Sequence, residues 1–141
     1  MPEFTISASS DVSDAEALAL YQSVGWTAYT RDPALLAQAI KNSSFVVIAR
    51  DADGALVGLA RAVSDDATIC YLQDILVDPA CQGAGVGRKL LEVVQARFGH
   101  VRQTVLLTDN EPGQRAFYEA LGFMEGADFS PGPLRVFALF R

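Results

Sequence analysis

The chain has 141 residues, half of them hydrophobic and 20% charged, which suits one domain with a real core and excludes a disordered tract. A formal net charge of −6 disfavours general attraction to nucleic acid or an anionic membrane. Two cysteines, Cys70 and Cys81, and a single histidine, His100, exclude a disulfide framework and a His-rich centre, so no metal is expected.

Phe4-Thr5-Ile6-Ser7 alternates and predicts a first strand. Ser10 or Ser13 offers a cap for a helix carrying Ala15, Leu18, Ala19 and Tyr21 and ending near Gly25. Asp32-Pro33 opens a second helix with Leu35, Leu36, Ala39 and Ile40. Strands follow over 44–50, 56–63 and 68–77, joined by turns at Asp51-Ala52-Asp53-Gly54 and Asp65-Asp66, which makes an antiparallel meander. Val86, Leu90, Val94 and Phe98 then recur at helical spacing. Residues 104–108 read as a buried strand. Asn110 is placed to cap a helix with Pro112 in its first turn and Gly122 at its end. Segments 123–126 and 134–140 are expected as the last strands. A strand-helix-strand unit within a meander implies an α/β (α+β) fold, with a mixed, mostly antiparallel sheet flanked by helices.

No run of about eighteen apolar residues occurs, so no spanning helix is expected. The Met1-Pro2-Glu3-Phe4 start lacks a leader pattern, and the expected compartment is the cytoplasm.

The charge is unevenly placed. Residues 1–66 hold four cations against nine acids, whereas residues 79–102 hold Arg88, Lys89, Arg97 and Arg102 against Glu92 alone. The basic stretch coincides with Asp78-Pro79-Ala80-Cys81-Gln82-Gly83-Ala84-Gly85-Val86-Gly87-Arg88-Lys89, where a strand feeds a glycine-rich loop that opens a helix. The first amides of a helix have no internal acceptor and sum with its dipole to favour an anion. Arg88 and Lys89 add cations in a first turn that would otherwise prefer acids. A dinucleotide fingerprint would need glycine at Arg88, and a Walker loop would need Ser or Thr after Gly-Lys; the chain has neither.

Gln82-x-x-Gly85-x-Gly87, followed later by Phe117-Tyr118-Glu119-Ala120-Leu121-Gly122-Phe123, resembles the GNAT superfamily of N-acetyltransferases, and the resemblance spans nearly the whole chain as a single domain, 1–141. It implies acetyl-CoA as acyl donor, with the pyrophosphate on Gln82, Gly83, Ala84, Gly85, Val86, Gly87, Arg88 and Lys89. It also implies a pantetheine arm along Ile75, Leu76 and Val77, where the central strands splay apart. Asn110 and Gln114 fall where relatives touch the cofactor, although the family's Asn would sit one place later, at Glu111. Tyr118 matches the general acid, and a main-chain amide near Leu76 or Val77 the oxyanion donor.

Asp74, an acid set between apolar residues mid-strand, is a candidate general base; its alternative is a structural carboxylate capping a loop or paired with Arg61. Trp26 and Tyr29 suggest an aromatic wall for the acceptor, with core packing as the alternative for Trp26, and Arg61 and Gln73 are further substrate-binding candidates. Cys81 lies on the pyrophosphate side and is set aside as an acyl carrier. The expected partner is a small-molecule amine or a protein amino group; nothing in the chain requires a homodimer. A non-catalytic acyl-CoA-binding module is the alternative, and Tyr118, which binding does not need, favours the enzyme.

Overall fold

The computed structural model describes residues 3–141. Ser13 rather than Ser10 caps the first helix. Its side chain accepts the Glu16 amide at 3.1 Å while Glu16 accepts the Ser13 amide at 2.8 Å, a reciprocal box that starts α1 (Asp14–Ser23). Glu16 also meets Arg50 at 2.8 Å, and these partners hold its carboxyl down to about 2. Between α1 and the next long helix lies α2 (Thr27–Thr30), a single turn too short to show periodicity in the sequence. Asp32 then caps α3 (Pro33–Lys41) through the Leu35 amide, with proline in the first turn as expected.

The remaining elements of the first unit are β1 (Phe4–Ala8), β2 (Phe45–Asp51), β3 (Leu56–Ser64), β4 (Ile69–Val77), α4 (Val86–Arg97) and β5 (Gln103–Leu106). The sheet runs in the order β1-β2-β3-β4-β5. The first four strands are antiparallel, and β5 joins β4 in parallel after the α4 crossover. This is the mixed, mostly antiparallel sheet the sequence predicts. On one face Ala17, Leu20, Tyr21, Leu36 and Ile40 of α1 and α3 bury against Val46, Ile48, Leu59 and Leu76. On the other, α4 closes on β3 at Gly58. A Cβ at Gly58 would stand 2.9 Å from Val86 and 3.1 Å from Leu90, so a side chain there pushes the helix off the sheet.

Two irregularities interrupt the pairing of β4. The register with β3 passes from Arg61↔Asp74 to Ala62↔Leu72, so Gln73 is an extra residue, a β-bulge. The pairing with β5 covers only Ile69 to Leu72, and within this unit no strand lies beside 73–77 on that side.

The chain divides into two compact units, the second running from Thr108 to Arg141. Taken by itself, the second unit holds α5 (Gln114–Ala120) and a 3-10 turn (Gly126–Asp128). Two expectations are corrected here. Asn110 does not cap α5: Asp109 takes the Glu111 amide in a local turn, and the helix begins only after Gly113, at φ +98°. Nor do 123–126 and 134–140 form a ladder within this unit. Pro131 and Pro133 have no amide to give, residues 126–128 coil into the turn, and one bond, from the Leu134 amide to the Gly126 carbonyl at 2.8 Å, joins the segments.

Replacing Gly58 with valine should lower stability by about 1–3 kcal/mol through overpacking against Val86 and Leu90, read as a reduced urea midpoint. An unchanged midpoint would show that α4 is free to shift away from β3.

Candidate active site

β4 ends where the Asp78 amide bonds the Val57 carbonyl at 2.8 Å and the Asp78 side chain takes the Ala80 amide, turning the chain into a 3-10 turn (Pro79–Cys81). Gln82 then reaches back to the Val77 carbonyl at 3.3 Å, which ties the loop to the strand. Gly83 and Gly85 have φ near +86° and +87°, the left-handed region in which a side chain is strained. Gly85 is itself the N-cap of α4, so no side chain caps this helix, whereas Ser13 and Asp32 cap α1 and α3. The first intrahelical bond runs from Lys89 to Gly85. The amides of Val86, Gly87 and Arg88 therefore lack helical acceptors at the positive end of a twelve-residue helix. Arg88 and Lys89 are exposed, and Glu92 one turn on pairs with them at 3.0 and 3.7 Å, which relieves their unfavourable position in the helix.

Alternate residues of an antiparallel strand bond to the same neighbour. With Asp78 bonded to Val57, the unbroken register back to Asp74 turns the main-chain groups of Leu76 toward β3 and those of Ile75 and Val77 toward the unpartnered side. Of the three strand residues expected along a pantetheine arm, Ile75 and Val77 thus turn their main chain to the open side, the Val77 carbonyl taking Gln82 there, and Leu76 buries its side chain in the core.

Asp74 is 3% exposed and Arg61 6%, the only buried charged residues among those described. The Arg61 Nε donates to Asp74 Oδ2 at 2.6 Å, Tyr21 donates to the same oxygen at 2.9 Å, and Tyr29 donates to Oδ1 at 2.9 Å. Of the two roles the sequence raises for Asp74, the geometry displays the pairing with Arg61, with three donors engaging its two oxygens. Burial, then the Asp74 charge, pushes both Tyr21 and Tyr29 above the ordinary phenol range, so each stays a donor. Trp26 lies 5.9 Å from the Tyr21 ring and packs against the α1/α3 core, which is its core-packing alternative. Tyr29, on α2, is the polar end of that aromatic group. Gln73 is exposed, and its Nε2 donates to the Tyr29 hydroxyl at 2.9 Å.

Cys81 stays a thiol, because burial and the Asp78 and Asp51 charges all push its proton loss upward. In the second unit Tyr118 sits edge-on between Phe117 and Phe123, at 5.0 and 5.8 Å between ring centres. Burial, then Asp109, pushes its hydroxyl above the usual phenol range. Gln114 donates to Asp109 at 3.2 Å. Arg115 pairs with Glu119, Glu125 and Asp128, so it binds this unit together.

The model of the GNAT acetyltransferase domain matches residues 41–125, which includes the uncapped helix, the open half of β4 and Tyr118. The chain belongs to the GNAT acetyltransferases. An acetyltransferase of that family from Streptococcus pneumoniae shares 30% identity and a TM-score of 0.81, covering 96% of this chain and 98% of its own. An uncharacterized N-acetyltransferase of Pyropia yezoensis is 29% identical over 87% of this chain and 71% of its own. A Glycine max protein named histone acetyltransferase is 34% identical over 86% of this chain, which spans only 56% of that relative's length.

The chemistry of β4, the loop and α4 suits an anionic, amide-bearing ligand: an uncapped helix, left-handed glycines, two cations and strand backbone open on one side. The network of donors and acceptors around Tyr29 was not legible in sequence. Its members lie up to 53 residues apart, and only the oddity of a buried acid at Asp74 pointed to it. Among the described residues there is no His, Cys, Asp and Glu group suited to a metal, and no helix is long and apolar enough to cross a membrane.

Replacing Arg61 with methionine leaves Asp74 buried without its cation and should cost about 3–5 kcal/mol in denaturant unfolding. Arg61→Met combined with Asp74→Leu should recover part of that loss; a strictly additive double variant would show that the two side chains do not act as a pair.

Proposed function

We propose that this chain moves the acetyl group of acetyl-CoA to a primary amine by direct attack, with Tyr118 as general acid. The observation that carries this reading is the meeting of an uncapped helix N-terminus with the unpartnered half of β4. Gln82, Gly83, Ala84, Gly85, Val86, Gly87, Arg88 and Lys89 would hold the pyrophosphate through their amides and, at Arg88 and Lys89, through charge. Ile75 and Val77 would pair with the amide-bearing arm as a strand would. When bound, acetyl-CoA supplies an activated thioester whose carbonyl an amine can attack.

Val77's outward amide is the candidate donor to the oxyanion that develops on that carbonyl, in place of Leu76, whose amide faces β3. Tyr118 gives its proton to the departing thiolate, and its raised affinity for that proton keeps it loaded at neutral pH. Asp74 is buried and both its oxygens already take donors, so in this reading the amine's proton leaves to solvent and Asp74 is not its base. Asn110 and Gln114 stand as second-rank cofactor contacts, Gln114 with its amide already given to Asp109. Trp26 and Tyr29, with Arg61 and Gln73 behind and beside them, form the acceptor side. The acceptor is a small-molecule amine or a protein amino group. Cys70 and Cys81 are free, which fits a reducing compartment such as the cytoplasm.

Thiol release from acetyl-CoA across a panel of tryptamine, spermidine, an aminoglycoside and an alanine-initiated peptide tests the reading. Tyr118→Phe should lower kcat by at least about 100-fold while the Kd for acetyl-CoA holds. Binding without amine-dependent release would instead mark an acyl-CoA-binding module. Gly85→Glu should abolish binding, because it adds strain and a negative charge where the helix meets the anion; retained binding would refute the loop assignment.

The pH profile has a defined sign. Activity should rise with pH as the acceptor ammonium loses its proton. It should fall only above about 10, the ordinary phenol value, because the Tyr118 proton is held above it. A fall between pH 7 and 9 would exclude Tyr118 as the acid.

A further inference from the structure

The bulge and the splay of β4 fall on the same residue. Gln73 is the extra residue opposite β3 and also the first residue past the last β5 pair, Leu72↔Leu106. Its side chain has an anchor on α2. That anchor is Tyr29, and the anchor has a direction.

Asp74 is an acceptor only. Tyr29 has one hydroxyl proton, which goes to Asp74 Oδ1 at 2.9 Å. Its lone pairs must then receive, and they do: from Arg61 at 3.3 Å and from Gln73 at 2.9 Å. Gln73 can donate only through its NH2 group. Its amide is therefore locked with the nitrogen toward Tyr29 and the carbonyl oxygen turned away, a group with no partner among the described residues. The chain of donors runs Gln73 to Tyr29 to Asp74, whose other oxygen takes the Arg61 Nε.

We propose that Gln73 receives an N–H of the acceptor amine on its side-chain oxygen at the start of the gap beside β4, and that Asp74 and Arg61 are positioning residues that set the polarity of Gln73 through Tyr29. An attacking amine must aim its lone pair at the carbonyl carbon, and an acceptor for one of its N–H groups fixes that aim. The inference rests on the acetyl-transfer reading and adds to it the group that orients the amine.

Asp74→Asn provides a reversal. The oxygen of the introduced amide must face Arg61 Nε and Tyr21, which puts its NH2 opposite Tyr29. Tyr29 then receives from that NH2 and gives its own proton to Gln73, whose amide turns over and presents NH2 to the gap. A donor in that place repels the amine N–H.

The test uses whichever of the four amines turns over best. Gln73→Ala should raise its KM about tenfold, with kcat within a factor of about three and the Kd for acetyl-CoA unchanged. Tyr29→Phe should raise the same KM several-fold, and Tyr29→Phe with Gln73→Ala should be no worse than Gln73→Ala alone. Asp74→Asn should match or exceed Gln73→Ala in KM, and adding Gln73→Ala to it should not raise KM further. The Tyr29 and Gln73 variants carry the test by themselves if Asp74→Asn does not fold. An unchanged amine KM in Gln73→Ala, or KM effects of Tyr29→Phe and Gln73→Ala that multiply, overturns the inference and leaves acetyl transfer standing. A wild-type protein that releases no thiol with any amine overturns both.

Discussion

A 2.6 Å bond between Arg61 and Asp74, closed off from water, is the constraint to which the packing of α1 and α2 on the sheet answers. Two charges in that setting hold only if each stays paired and the remaining hydrogen-bonding positions are filled. The protein fills them with Tyr21 from α1 and Tyr29 from α2. The pair thus gathers two helices and two strands at one point. It also fixes which of those groups can give a proton and which can only receive one. A carboxylate that looked suited to catalysis in the sequence serves as the end of a directed hydrogen-bond chain.

The end of β4 and the start of α4 are built on the opposite principle. There, backbone groups are left without partners. The amides of Val86, Gly87 and Arg88 have no helical acceptor, and β4 beyond Leu72 pairs with β3 on one side and with no strand of its unit on the other. Unpaired main-chain groups are costly when buried and useful when they face a ligand of matching polarity. The left-handed glycines make the loop that exposes them, and Gly58 lets α4 approach β3 closely enough to aim them. One strand therefore carries both arrangements, through its main chain at Ile75 and Val77 and through side chains at Gln73 and Asp74.

The meander, α4 and the glycine loop are readable in the sequence because periodicity, turn residues and cap chemistry are local. The bounds of β2, β3 and β4 lie within a residue or so of expectation, as do the starts of α1 and α3. What escaped was set by distant partners. The α2 turn is four residues long and has no pattern of its own, yet it carries Tyr29. The bulge at Gln73 depends on how β3 counts against β4, which no stretch of either strand reveals. Asn110 had the right residue type for a cap, but Asp109 beside it took the turn first. In the last segment the apolar residues of 134–140 suggested a strand, while residues 126–128 coil into a 3-10 turn and a single bond from Leu134 to Gly126 joins the two segments.

The charge that first set residues 79–102 apart from 1–66 has a consequence for how the protein meets different ionic strengths. Arg88 and Lys89 project into solvent, where dissolved salt screens them. Arg61 and Asp74 cancel each other out of reach of that screening, and they leave Gln73 and Tyr29 as neutral dipoles. Added salt should therefore weaken the field at the α4 N-terminus and leave the surroundings of Asp74 nearly unchanged. The two ends of β4 carry fields of different range, one long and screened, the other short and sheltered.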